Sequence, residues 1–407
     1  MRMSLVRAAI VSVILALPLA SAAEDVSGAF HIPGVETDIR FTGFAETTLF
    51  YEFSGGAALL SRACDYYLCP TNIALQGQTT YLQTALAAAY SRFGVETTTP
   101  SPIGAVGTRF EVDAAGGYQL IGETDTHSAM IRIRHAYGTI GEWFLMGQTW
   151  STFADLNTFP DQMDENPVAN LAALRGPMIR FTIPAGLLKV SLALEDPYFT
   201  SLVDNTVGPT YPIWNVPDVI ARLDLPVGPA TLSLRGVAKQ YKTESASAMG
   251  FGGAAGAAVP LGRDTLVLDV SGGPGIGTYV YGTTLGLPED AVEETSTRTL
   301  KLWTVLGASA GYTHVWSPHV RSNLMASAIW TKDDSGVAAA VNSNAGTTGP
   351  LYGSFNRSVY TVGANTYWSP SRTFWVGAEF YYNYRDTFSS VNGQEFRGEF
   401  VSHFNFF

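Results

Sequence analysis

The stretch that decides the fold is Met130-Ile131-Arg132-Ile133-Arg134-His135-Ala136-Tyr137-Gly138, followed by Thr139-Ile140-Gly141 and a second segment from Trp143 to Trp150. Apolar residues alternate with arginines. A period of two places Ile131, Ile133 and Tyr137 on one face of a strand and Arg132 and Arg134 on the other. Gly138 to Gly141 form a tight turn into the second strand. An irregular polar segment then runs from Ser151 to Gly176 and carries Asp155, Asp161, Asp164 and Glu165. The next strand, Met178 to Ile183, again sets an arginine, Arg180, between apolar residues. An acidic loop thus hangs between strands whose polar face carries arginine, the expected layout of a constriction in a water-filled β-barrel.

The same alternation extends outward in both directions. A first strand is expected over Thr37 to Thr47. Paired strands follow at Ser91–Thr98 with Val106–Ala115, Met178–Ile183 with Leu188–Leu194, Asp218–Leu225 with Ala230–Tyr241, and Met249–Val259 with Asp264–Ser271. Thr299–Trp316 pairs with Val320–Thr331, Arg357–Trp368 with Thr373–Arg385, and Glu395–Phe407 ends the chain. Seven links are short and eight are long, giving sixteen strands with both termini on one side. Trp316-Ser317-Pro318 and Trp368-Ser369-Pro370 repeat one turn device, with proline where no ladder donor is needed. At the C-terminus Phe400, Phe404 and Phe406 form an outward row, with His403 and Asn405 out of it. The expected fold is all-β: a transmembrane antiparallel barrel of about 16 strands, residues 37–407, with long extracellular loops, short periplasmic turns and a pore-constricting loop at 151–176.

Composition and the N-terminus agree. Arg2 and Arg7, the apolar run Ala8–Leu19 and the small residues Ala20 to Ala23 read as a cleaved signal peptide, residues 1–23. Residues 24–36 are a short tail. Loss of two arginines leaves 22 Lys+Arg against 35 Asp+Glu, a mature charge of −13. An acidic chain without a basic run argues against nucleic-acid binding. Charged residues make up only 14 % of the chain while aromatics reach 12 %, a balance suited to a barrel with a lipid-facing outside. Ser245–Gly262 and Ser271–Pro288 are uncharged, but their Gly, Ala, Ser and Thr content is too polar for a membrane helix. Cys64 and Cys69, five apart in an exported chain, are expected to form a local disulfide in an extracellular loop.

Catalytic and metal chemistry find little support. The six histidines are scattered without ligand spacing, and no triad is readable, so no enzymatic role, cofactor or metal is expected. Gly250 to Ala255 matches a dinucleotide fingerprint but lacks the following helix. The residues that carry function are expected to be Arg109, Arg132, Arg134, Arg180, Arg222, Arg235 and Arg321, with Lys239, on the face opposite the apolar row. Arginine on a lipid face near the bilayer midplane costs roughly 2–4 kcal/mol, so the parity assigns them to the lumen. The blander reading is that some simply pair with Glu111, Asp113, Asp224 or Glu379.

Arg132 to Gly138, Gly147-Gln148-Thr149-Trp150-Ser151-Thr152-Phe153 and Gly176-Pro177-Met178-Ile179-Arg180 resemble the DcaP-like outer-membrane porins. The resemblance spans Ser91 to Arg180, and elsewhere is one of hairpin pattern. It implies a homotrimeric barrel that passes small organic anions. The family's founding type carries an N-terminal helical stalk, which is not expected in this chain. The function expected is passive diffusion of small hydrophilic solutes, small organic anions such as carboxylates being the expected cargo, in a bacterial outer membrane whose lipid and lipopolysaccharide are the surrounding partners. Neutral solutes such as sugars, or a barrel enzyme acting on lipid or surface polymer, are the alternatives.

Overall fold

The alternation is realised as a closed ladder of strands. A computed structural model of the chain describes residues 29–31, 34–56, 69–116, 131–164, 168, 170–171, 174–197, 202–204, 208–210, 213, 215–281, 290–294, 297–333 and 356–406. The first pair is β1 (Asp38–Gly56) and β2, which runs as Tyr81–Ala87 and Arg92–Thr99 with a break between. Next come β3 (Val106–Asp113), β4 (Arg132–Ile140), β5 (Phe144–Trp150), β6 (Arg175–Ala185) and β7 (Leu188–Glu195). They are followed by β8 (Asp218–Val227), β9 (Ala230–Lys242), β10 (Ser247–Leu261) and β11 (Asp264–Pro274). The set ends with β12 (Thr304–Ser317), β13 (Val320–Lys332), β14 (Asn356–Trp368), β15 (Phe374–Thr387) and β16 (Asn392–Asn405). Each pairs antiparallel with the next, and β1 pairs with β16 from Phe44↔Asn405 to Ser54↔Phe396, so the sixteen-stranded sheet has no open side. Gly228 (φ 58°) and Gly262 (φ 71°) take the left-handed conformation that their tight turns require.

The two faces differ as a lipid and a water boundary demand. Leu192, Leu194, Val219, Leu234, Phe251, Val270, Leu324, Val362 and Phe380 are all exposed on the outside. Such a belt would be an aggregation hazard in a soluble protein and suits a hydrocarbon surround. Trp143, Trp316 and Trp368 are exposed beside the short turns. Phe400, Phe404 and Phe406 are exposed while Val401 and His403 are buried, the outward row read at the C-terminus.

Several expectations need correcting. The first hairpin is longer than read: β1 runs on to Gly56 and β2 begins at Tyr81, because the apolar alternation through Thr47–Phe53 continues past Thr47. The link between Lys242 and Ser247 is short, not long, so the alternation of link lengths is incomplete. Thr299–Leu302 does not start β12; it joins Leu202–Asp204, Gly208–Thr210 and Ala291–Glu294 in a separate four-stranded sheet. A register shift opposite Glu111/Val112 makes Arg134 an extra residue in β4. Beyond this bulge the parity flips: Tyr137 pairs with the inward Arg109 and leaves the outward row of Ile131 and Ile133. In the tail, Ala29–His31 pairs with Asp38–Arg40. The expected signal peptide, Cys64, Glu165 and Phe407 lie outside the described residues.

Replacing the outward Leu234 by arginine is expected to destabilise the barrel by roughly 2–4 kcal/mol. Urea unfolding in lipid vesicles, followed by gel mobility of the folded form, measures it; an unchanged midpoint refutes the outward assignment.

Candidate functional site: the barrel interior

The described residues between Trp150, where β5 ends, and Arg175, where β6 begins, cross the interior. Arg235 on β9 donates to the Phe153 carbonyl at 2.8 Å. Arg222 on β8 donates to the Ala154 carbonyl at 2.8 Å and to Asp155 Oδ1 at 3.0 Å, while Ser233 Oγ donates to Asp155 Oδ2 at 2.5 Å. Further along, the Thr158 hydroxyl donates to Asp269 on β11 at 3.0 Å, and Arg321 on β13 binds Asp161 through both Nε and Nη2. The amides of Met163 and Asp164 donate to Glu379 on β15. On the way back, Asn170 accepts from Ser271 Oγ at 2.6 Å and donates to the Asp269 carbonyl at 3.1 Å.

The strands leave room for this loop. A Cβ on Gly307 would meet Asn170 Oδ1 at 2.1 Å, and one on Gly377 would meet Met163 Cε at 2.0 Å. Gly256 and Gly311 make way for Thr158 and Pro160 in the same manner. Burial pushes the Asp155 carboxyl up, but the adjacent Arg222 guanidinium and the Ser233 hydroxyl hold it below the usual carboxylate range. The loop acid is thus an ionised anchor.

A second loop follows the first inward. Ile276 to Tyr281 make one helical turn that is buried against Phe153, Ile220, Val237, Val305, Ile329 and Val359. These wall residues all face the lumen side, so an apolar cluster fills that part of the barrel. The Phe153 and Tyr279 rings meet edge-on at 5.5 Å. Beneath the turn, Lys239 is fully buried; its ammonium lies 3.1 Å from Thr278 Oγ1, 3.5 Å from Asp290 and 3.9 Å from Asp218. Asp290 also accepts from Tyr241 at 2.6 Å, and Asp218 from Tyr279 at 2.8 Å. A buried lysine needs such a shell, since a lone ammonium loses its hydration. Sequence reading missed this turn because Ser271–Pro288 was weighed only as a membrane helix. Its one signal was Ile276, Tyr279, Val280 and Tyr281 set within a glycine-rich link.

At its start the first loop is also tied to β7 and β6, where the Thr152 amide donates to Glu195 at 2.6 Å and its hydroxyl to Met178 Sδ at 3.8 Å. The arginines divide into two groups. Arg222, Arg235 and Arg321 hold the 151–174 loop, and Arg235 also pairs with Asp269. Arg109, Arg132 and Arg134 stand on β3 and β4. Arg134 is 3 % exposed and bridges Glu111 at 2.9 Å and Asp113 at 2.7 Å. Arg132 reaches Asp113 at 2.6 Å, and Arg109 reaches Glu111 at 2.7 Å and Glu96 at 3.3 Å. Arg180 differs: its cross-strand neighbours are Leu145 and Ala193, and among the described residues it makes no hydrogen bond or ion pair, Glu195 acting on it only through space. Arg175, not singled out from the sequence because it lay in the polar segment, stacks on Trp150 at 4.3 Å and likewise has no carboxylate partner there. Of the loop acids, Asp155 and Asp161 are tied to arginines and Asp164 is buried near Glu379. Cys69 is buried. Among the described residues no group of acids, histidines and cysteines is placed to hold a metal ion.

The model of the DcaP outer membrane protein family matches residues 20–196. The outer membrane channel DcaP of Acinetobacter baumannii superposes with a TM-score of 0.77 and 22 % identity, covering 93 % of this chain and 100 % of that one. An anion-selective porin from Comamonas acidovorans gives a TM-score of 0.58 at 11 % identity, covering 91 % and 100 %. OmpF of Salmonella typhi gives 0.54 at 10 %, covering 93 % and 100 %. No curated protein sequence matches the chain significantly. The structural likenesses are likenesses of fold. With the family match, they bear out the resemblance read at Arg132–Arg180 and support an outer-membrane barrel of porin type.

Arg235→Ala removes both the Phe153 tether and the partner of buried Asp269. A loss of roughly 3–5 kcal/mol is expected in urea unfolding, against less than about 0.5 kcal/mol for the exposed Arg263→Ala control. Equal effects of the two variants would argue against an anchoring role.

Proposed function

We propose, with a DcaP-like outer-membrane barrel as the premise, that the chain is a passive diffusion channel for small hydrophilic solutes with a preference for small organic anions such as carboxylates. The observation that carries this is the pair Arg175 and Arg180. Both sit on β6, and neither makes a hydrogen bond or ion pair to a carboxylate among the described residues, the buried Glu195 on β7 acting on Arg180 only through space. Two loop acids that could offset them, Asp155 and Asp161, are paired with Arg222 on β8 and Arg321 on β13. Loop 151–176 is the constriction in this reading, and the passage runs between it and the β2–β7 wall.

The chain's net negative charge does not decide selectivity. At an effective dielectric near 20, unit charges about 4 Å apart interact by about 4 kcal/mol, while screening mutes acids farther than about 8 Å away at physiological salt. A permeating ion therefore responds to the nearest guanidiniums. Arg109 and Arg132, each about one-third exposed, extend the positive wall, although Glu96, Glu111 and Asp113 offset them. A neutral-solute channel is the second reading, favoured by that internal pairing. A barrel enzyme is the rival of another class; hydrolysis of lipid or surface polymer without stable conductance steps would support it instead.

The remaining assignments belong to the same proposal. Residues 1–23 are a cleaved signal peptide, 37–407 the barrel, Cys64 and Cys69 a loop disulfide, and the assembly a homotrimer set in lipid and lipopolysaccharide.

Reversal potentials in a KCl gradient across planar bilayers test the selectivity. Chloride preference is expected in the native protein, and Arg175→Ala combined with Arg180→Ala should lower the chloride-to-potassium permeability ratio roughly tenfold, the equivalent of about 1.4 kcal/mol. Cation selectivity that the double substitution leaves unchanged defeats the reading.

A further inference from the structure

The channel reading leaves one group of inner-wall residues unused. Ala193 on β7, Ile220 on β8, Val237 on β9 and Gly252 on β10 are successive cross-strand neighbours. Ile329 on β13 and Val359 on β14 pair in the same way. Two residues along β7 to β9 the inner face is polar, with Ser191, Arg222 and Arg235 in register. Water wets the wall of an open lumen, so inward side chains are expected to be polar. Ile220, Ile329 and Val359 are instead apolar and 0 % exposed, packed in one cluster with Ile276 and Val280 of the inward turn, themselves 0 % exposed.

The wall is shaped to receive that turn. A Cβ on Gly252 would run into Ile276 Cδ1, and one on Gly250 would meet the Gly275 carbonyl oxygen at 2.6 Å. Neither glycine has a positive φ, so the missing side chain, not backbone freedom, is what these positions use. The glycine run that mimics a dinucleotide fingerprint is thus a seat. The polar side of the turn is fastened as well. The Thr278 amide donates to Asp290 Oδ1 at 3.0 Å, its hydroxyl donates to Asp290 Oδ2 at 2.7 Å, and the Tyr279 hydroxyl donates to Asp218 at 2.8 Å. Undocking would wet the apolar cluster and strip buried Lys239 of Thr278, so the turn is a fixture and not a gate. It touches the 151–174 loop through Phe153 and Tyr279, which makes the two loops one obstruction.

We propose that Ile276–Tyr281 is a fixed plug that closes the arc of lumen in front of Ile220, Val237, Ile329 and Val359 to water and solute, and that the size limit of the channel is therefore set by two inward loops, not by 151–176 alone. The plug stands without the channel reading; the size limit rests on it. Ile276 and Val280 are the side chains that exclude water, Gly250 and Gly252 the wall positions that admit them, and Thr278 and Tyr279 the fasteners.

Thiol labelling of the full chain in lipid vesicles tests the plug. A charged methanethiosulfonate reagent does not enter hydrocarbon, so it reaches an inward cysteine only through water. Ile220→Cys and Val359→Cys should react roughly tenfold more slowly than Thr139→Cys, a half-exposed position paired with the inward Gly107. Adding Ile276→Ser with Val280→Ser, which leaves the barrel wall intact, should remove that protection. Equally fast labelling of all three cysteines without the serine substitutions means that the arc is wet, and overturns the plug. In planar bilayers the serine variant without an introduced cysteine should conduct several-fold more than the native protein, and vesicles carrying it should swell faster in raffinose relative to arabinose. Unchanged conductance and swelling, where the native protein does conduct, overturn the second size limit; this arm carries the test if the cysteine variants do not assemble. A protein that conducts in neither form counts against the channel reading and the size limit with it, while the labelling still decides whether the arc is dry.

Discussion

The constraint on which everything else rests is that a strand in hydrocarbon has no water to satisfy its backbone. Each N–H and C=O must find a partner within the sheet, so a spanning sheet has to close on itself. The pairing of β1 with β16 accomplishes this, and it fixes the alternation of every other residue. One parity meets lipid and becomes leucine, valine and phenylalanine. The other meets the lumen, where charge is tolerated and loops can dock. The distribution of arginine along the chain is a direct consequence.

Inside, the chemistry is one of pairing. Arg222, Arg235 and Arg321 are spent on holding a loop, Arg134 on Glu111 and Asp113, and Lys239 on a shell of oxygens beneath a helical turn. Each arrangement is costly to break because it would leave a charge in a poorly solvated place. Arg175 and Arg180, which make no such pair among the described residues, stand out for that reason. In the proposed reading, anchoring and conduction draw on the same residue type, separated by whether a loop carbonyl or carboxylate is within reach.

The barrel was legible in the sequence because its rule is local: residue i and residue i+2 share a face, and short turns carry Gly and Pro. Strand number, the outward phenylalanine row at Phe400–Phe406 and the lumen parity of the arginines follow from that rule. The bulge at Arg134 was not legible, since one inserted residue leaves no mark in composition yet reverses Tyr137. Partner identity was also hidden. Met163 and Glu379 are 216 residues apart, and Thr158 and Asp269 111 apart, so no window of sequence contains both. Parity says that a side chain points inward; only the fold says what it meets there. The inward turn at Ile276–Tyr281 escaped for the same reason, being apolar within a link where apolarity had no assigned purpose.

The seam between β1 and β16 has a consequence for how the molecule is made. Its side-chain pairs, Glu52 with Arg397 and Glu46 with His403, join positions 345 and 357 residues apart. No part of the ring can shut until the last strand is available, which is the slowest kind of contact for a chain to find. Until then the nascent protein presents two bare edges, β1 and whichever strand came last, each a template for pairing with another copy. An unfinished chain is therefore a sticky one. Its journey across an aqueous compartment calls for an escort that masks those edges, and its quality control can be as simple as asking whether the two ends have met.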